Sequence, residues 1–271
     1  APSRGLGDVY KRQIYNIADS MIAGKFAGED ALAAVGASYP ITVIFMAFAV
    51  GMNLGASVIV SRLFGAGDRK GVKRAVTTAF ASSLGLAAVL TVWGYFFCRN
   101  MMEWIHTPQN IMADGVLYLK IYVFGLIFLM LYNVCTGVFT ALGDSKTPLY
   151  FLLGSSAGNI VLDLIFVAQF HWGVSGVAWA TFIAQGISAV LALLTLFSRI
   201  KAFAGEEKQP FFDSQYFKQI FAIRSACYLL ITLSAEASSI SSLSQLSVSF
   251  RAQVSEPSLL PYLKLPDIRF L

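Results

Sequence analysis

ALAAVGASYPITVIFMAFAVGMNLGASVIVS, Ala31–Ser61, decides the fold: no Asp, Glu, Lys or Arg interrupts it. About 20 apolar helical residues cross a hydrocarbon core of about 30 Å, and this run exceeds that need. The pattern returns along the chain. Ala75–Cys98, Ile121–Gly143, Thr147–Leu162 and Leu164–Ser198 are also uncharged. The last of these is broken by Gly173 after the His171-Trp172 pair, which marks a loop at the membrane interface. Spans are therefore predicted near 34–62, 74–98, 115–141, 148–170 and 174–197. They are read as helices, because no alternating strand pattern is present and a helix alone satisfies its own backbone in lipid.

Composition agrees. Apolar types make up 56% of the 271 residues and charged types 13%, against about 25% charged in a soluble domain. Too little polar surface remains to cover a globule in water. The net charge of +5 does not point to nucleic acid, because the basic residues fall in short gaps between apolar runs. Cys98, Cys135 and Cys227 lie far apart in apolar stretches. They form neither a disulfide framework nor a metal spacing and read as core or lipid-facing side chains.

The ends differ from the middle. Residues 1–12 are polar and Gly-rich and are set aside as a non-native leader. Gln13–Gly24 spans only about 18 Å as helix and reads as the second half of a first membrane helix. With it, about six membrane helices are expected, occupying 13–198. Residues 199–222 read as a cytoplasmic linker, with Gly205 and Pro210, followed by an amphipathic helix. Residues 223–271 are Ser-rich, and Pro257, Pro261 and Pro266 exclude regular helix near the end. They read as the truncated or frame-shifted start of a second lobe, the alternative being a genuine Ser-rich tail.

Basic residues set the expected orientation. Arg62, Arg69, Lys70, Lys73 and Arg74 follow one span, Lys146 another, and Arg199, Lys201, Lys208 and Lys218 the last. These gaps alternate with poorer ones holding Lys25, Arg99 and Lys120. The rich set is expected in the cytoplasm, as is the amino-terminal side of a multi-pass protein of the inner membrane. The same charges suit contacts with anionic lipid.

Two acids fall inside spans, Asp19 and Asp163. A carboxylate at membrane depth costs several kcal/mol and is retained mainly where it works or is paired. With the orientation above, Asp19 lies about 7 Å below the end of its helix, Asp163 about 10 Å and Thr181 about 12 Å. Asn159 is one turn from Asp163 on the same face, and Ser155 extends that face. Asp19, Asn159, Asp163 and Thr181 are therefore expected to meet at one level. Such oxygen ligands suit a hard cation such as Na⁺, and neighbouring carboxylates in low dielectric favour holding a proton. The sequence does not choose between H⁺ and Na⁺.

Weaker candidates surround this set. Tyr15 lies near Asp19, and Asn133, Thr136 and Thr140 share one helical face. Thr181, Gln185 and Ser188 make a similar stripe. Either stripe lines a cleft or bonds across helix interfaces. Gly51–Gly55 and Gly154–Gly158 read GxxxG, which favours close packing within the bundle over dimerisation. Gly154–Gly158 also fits G-x-S-x-G, but a hydrolase elbow needs a strand-to-helix turn that a membrane helix cannot provide. His106 and His171 fall in the outer gaps as interfacial residues.

Several motifs in order resemble the MATE (multidrug and toxic compound extrusion) transporters. They are IYNIADSMIAGKFAG (Ile14–Gly28), ALAAVGASYP (Ala31–Pro40), LFGAGDRKGVKRAV (Leu63–Val76), ALGDSKTPLYF (Ala141–Phe151), GNIVLD (Gly158–Asp163) and GVSGVAWAT (Gly173–Thr181). The likeness runs over about Gln13–Ile223 and is nearest the bacterial DinF/MepA-like branch. It implies an all-α polytopic bundle, one lobe of a twelve-helix transporter. It also implies that Asp19, Asn159, Asp163 and Thr181 form the amino-lobe cation site. The expected function is secondary export of organic cations or amphipathic drugs, coupled to H⁺ or Na⁺, by a monomer that needs no cofactor and no nucleic acid. As one lobe, the chain is not expected to transport alone. The rivals are a lipid-linked oligosaccharide flippase of related fold, which would carry more cationic residues in its cleft, and an inert fragment. An intramembrane enzyme would need a nucleophile–base or metal set at depth, and none is evident in these spans.

Overall fold

The computed structural model describes residues 28–204 and 212–222. Asp19 and Tyr15, the first half-helix and everything after residue 222 lie outside the described residues. Within them, five helices are long and apolar enough to cross a membrane. They are α1 (Glu29–Gly65), α2 (Arg69–Trp104), α3 (Gln109–Ala141), α4 (Lys146–Asp163, continued by Leu164–Gln169) and α5 (Gly173–Ala204). A short helix, α6, covers 214–222. The architecture is all-α.

The helices outrun the predicted spans. α1 has 37 residues, about 55 Å at 1.5 Å per residue, well beyond the hydrocarbon thickness. Charge ends a span but not a helix. Glu29 and Asp30 occupy the first turn of α1 and Arg62 its last, each of a sign that suits the helix dipole at that end. Likewise Arg199 and Lys201, expected in a linker, still belong to α5.

Turns close the helices by local chemistry. Gly67 has φ 73° between α1 and α2, and Asp68 caps α2 by accepting the Gly71 N–H at 2.8 Å. Gly143 has φ 83° after α3. At the opposite end, His106 and His171 take positive φ (57° and 54°) in the α2–α3 and α4–α5 turns. Both are exposed.

α3 is the hub. It packs most extensively on α1, then on α5 and α2. The core draws Phe45 and Met52 from α1, Val72 and Val76 from α2, Leu126, Met130 and Phe139 from α3, and Leu196 from α5. Cys98 and Cys135 are buried in that core rather than lipid-facing. Small residues permit the closest crossings. A Cβ on Gly137 would lie 2.6 Å from the Asn53 carbonyl oxygen, and one on Gly55 would lie 2.8 Å from that of Ile220. Gly55 thus seats α6 on α1. The second GxxxG pair corrects the expectation. Among the described residues, Gly154 and Gly158 have nothing within 4 Å of an added Cβ, because α4 packs chiefly on α5 along its other face.

α4 is the least embedded helix. In Lys146–Asp163 only Pro148 and Asp163 are buried, while Tyr150, Val161 and Leu164 are exposed.

Candidate functional site

The site is built where α4 changes pitch. α-Helical bonding ends at Asp163, and Leu164–Gln169 continues as π-helix. The sequence pattern predicts regular helix through this stretch. A π segment widens the turn and recurs at functional sites. Asp163 stands at the junction and is fully buried, at 0% exposure. It is the only buried carboxylate among the described residues.

One turn before it, Asn159 faces α5. Its Nδ2 donates to Thr181 Oγ1 at 3.5 Å. A turn earlier still in α4, Ser155 Oγ donates to the Ala184 carbonyl at 3.4 Å. Polar side chains of one α4 face thus register the helix on α5, as the i, i+4 spacing of Ser155, Asn159 and Asp163 dictates. Three of the four expected ligand positions therefore fall on the adjoining elements α4 and α5, and Asp19 lies outside the described residues.

Thr181 also opens onto a small cleft between α3 and α5. Its cavity volume is only about 10 Å³, and it is lined by Tyr118, Tyr122, Gly125, Thr181, Phe182 and Gln185, among others. Gln185 joins Thr181 there, while Ser188, next on the stripe, is buried. Tyr118 and Tyr122 were not singled out by the sequence. Their rings stack at 6.3 Å, and the Tyr122 hydroxyl donates to the Thr42 carbonyl of α1 at 3.4 Å. Their i, i+4 spacing was the available signal, but it is shared by ordinary packing aromatics.

The α3 stripe bonds within its own helix. Asn133 Nδ2 donates to the Leu129 carbonyl at 2.8 Å, Thr136 Oγ1 to Tyr132 at 3.0 Å and Thr140 Oγ1 to Thr136 at 2.8 Å. Each bonds back to its own helix one turn earlier, which hydroxyls and amides readily do. None of these bonds reaches another helix.

The MatE family model matches residues 12–165. A probable multidrug resistance protein of Bacillus subtilis, YpnP, is 31% identical over 66% of this chain and 40% of its own length. A second from the same organism, YoeA, is 28% identical over 80% of this chain and 46% of its own. The chain spans less than half the length of either relative. Among solved structures, MATE in the straight conformation superimposes with a TM-score of 0.74 at 24% identity, over 89% of this chain and 53% of that one. A MOP superfamily transporter from Pyrococcus furiosus gives 0.72 at 24%, over 79% and 47%. These two likenesses speak to the fold. MatE proteins are transporters rather than enzymes. With the family model matched over more than half its length on a bundle of membrane-spanning helices, this chain belongs to the MatE family of multidrug efflux transporters.

Proposed function

We propose that this chain forms the cation-binding lobe of an antiporter that exports organic cations or amphipathic drugs across the cytoplasmic membrane in exchange for H⁺ or Na⁺. The observation that carries this reading is the fully buried Asp163 one turn from an Asn159 that meets Thr181 across the helix interface. A carboxylate, an amide carbonyl and a hydroxyl make an oxygen set suited to a hard cation. A carboxylate also binds a proton, so the same group serves either coupling ion. In this reading Asp19, from the preceding segment, supplies the second carboxylate.

The cation is cargo as well as driver. Binding it at Asp163 neutralises a buried carboxylate, and so favours whichever arrangement of α4 and α5 encloses the site. That preference must be a real difference in affinity between two states, or nothing is coupled. Many secondary transporters alternate by rocking one repeat or bundle against the other about a site near the membrane midplane. The proposed sidedness is supported by the basic turns, since a positive-inside bias favours a cytoplasmic Arg69–Arg74 end.

Thermal unfolding of the purified chain in detergent tests the reading. A cation that binds only the folded form raises its stability in proportion to RT ln(1 + [L]/Kd). Tm is expected to rise with Na⁺ at fixed pH, or with proton concentration at zero Na⁺. Asp163→Asn should erase that dependence without lowering Tm. A wild-type response unchanged in Asp163→Asn would remove Asp163 from the site.

A further inference from the structure

At the basic end of the bundle, the α3–α4 turn meets the last turns of α5. Asp144 Oδ1 accepts the backbone N–H groups of Lys146 at 3.2 Å and Thr147 at 3.1 Å, and Oδ2 accepts the Thr147 hydroxyl at 2.6 Å. Arg199 of α5 donates through Nη1 to the same Asp144 Oδ2 and through Nη2 to Thr147 Oγ1 at 3.4 Å. Its guanidinium lies over the Phe139 ring of α3, 5.6 Å from the centroid. One turn into α4, the Pro148 carbonyl accepts the Tyr132 hydroxyl of α3 at 3.1 Å. Three helices are tied within one turn of chain.

The tie is out of proportion to its worth as a stabiliser. The Arg199 side chain is 50% exposed, and half-exposed ion pairs contribute about 0–1 kcal/mol. What the planar guanidinium fork adds is direction, since it holds two acceptors in a fixed plane. That direction is imposed on the least buried of the five described membrane helices. Between Pro148 and Asp163 no side chain of α4 is buried, and an exposed face runs through Tyr150, Gly154, Ala157 and Val161. α4 is thus held at its basic end by the network and, about 24 Å further along, at the candidate cation site.

We propose that Asp144 and Arg199 are positioning residues that pin the basic end of α4, so that changes at Asp163 swing this helix about a fixed pivot instead of sliding it along α5. The pivot stands on the network alone; the swing rests on the cation reading of Asp163.

Spin-label distances across α4 and α5 test both parts, in the full chain with its three cysteines replaced by alanine. A pair at Tyr150 and Leu194 reports the basic end, and a pair at Val161 and Trp179 the site end. The basic-end distribution should be narrow and unmoved by Na⁺ or pH, while the site-end distance shifts. Asp144→Asn keeps a cap acceptor but removes the charge. It and Arg199→Gln should each broaden the basic-end distribution at least twofold, the double variant no further, and Arg199→Lys by an intermediate amount. An unchanged width in all of them overturns the pivot, and so does a wild-type basic end that moves with cation as far as the site end. A site end that ignores cation, in wild type and Asp163→Asn alike, overturns the swing and the cation reading. The basic-end widths then still decide the pivot.

Discussion

A single hydroxyl shows how narrowly the candidate site is built. Thr181 Oγ1 accepts the Asn159 amide N–H across the α4–α5 interface, and both residues are half-buried. Removing one partner of such a bond leaves the other unsatisfied, at a cost of about 1–3 kcal/mol. Thr181→Val keeps the shape and loses the acceptor, so unfolding stability should fall by about that amount, whereas Thr181→Ser should stay near wild type. Equal stabilities for the two variants would show that the amide has another partner. Asp163 differs in kind, because its side chain is enclosed completely and its substitution changes charge rather than fit.

At the scale of elements, α6 depends on one glycine. A Cβ at Gly55 would press on the Ile220 backbone carbonyl oxygen at 2.8 Å, and backbone cannot step aside as a flexible side chain does. Two polar ties accompany it: the Asp213 N–H donates to the Thr78 hydroxyl at 3.1 Å, and Arg62 Nη2 to Gln219 at 3.5 Å. Gly55→Leu should therefore lift α6 from its seat. Amide hydrogen exchange in 214–222 should speed up by about tenfold or more, which corresponds to about 1.4 kcal/mol of lost docking. Exchange in α3 should hardly change. Unaltered rates in 214–222 would mean that α6 is held elsewhere. The same packing logic explains why the two GxxxG pairs part company. One lies under a neighbour and the other on the open face of α4, and nothing in five residues of sequence tells them apart.

For the whole molecule, acid provides a readable stress. The Thr147 hydroxyl bond, with help from the Thr147 N–H and the Arg199 charge, holds the Asp144 carboxyl below its ordinary value of 3.8 against the opposing effect of burial. A group depressed in the folded state binds fewer protons there than in the unfolded chain, so it stabilises above the unfolded pKa. That contribution is lost as pH falls through the lowered folded value. The wild-type chain should lose stability below about pH 4, and Asp144→Asn should show a shallower decline over the same window. Identical acid profiles would mean that other carboxylates govern the transition.

The sequence by itself determined the class of molecule, the number and place of the described membrane helices, and the i, i+4 pairing of Asn159 with Asp163. Those follow from composition and period, because lipid punishes charge and a helix has one pitch. Sequence also placed Thr181 at a matching depth by counting residues from the His171-Trp172 turn. What it left open was which faces meet. The 3.5 Å approach of Asn159 to Thr181, the two tyrosines beside the site and the Arg199–Asp144 tie all join residues whose partners lie on other helices or turns. Asp144 and Arg199 are separated by all of α4 and most of α5, and each alone reads as a charge at the end of a span. Local chemistry writes a helix into its own residues, but the rotation and contact of one helix against another are settled by the packing of the whole bundle.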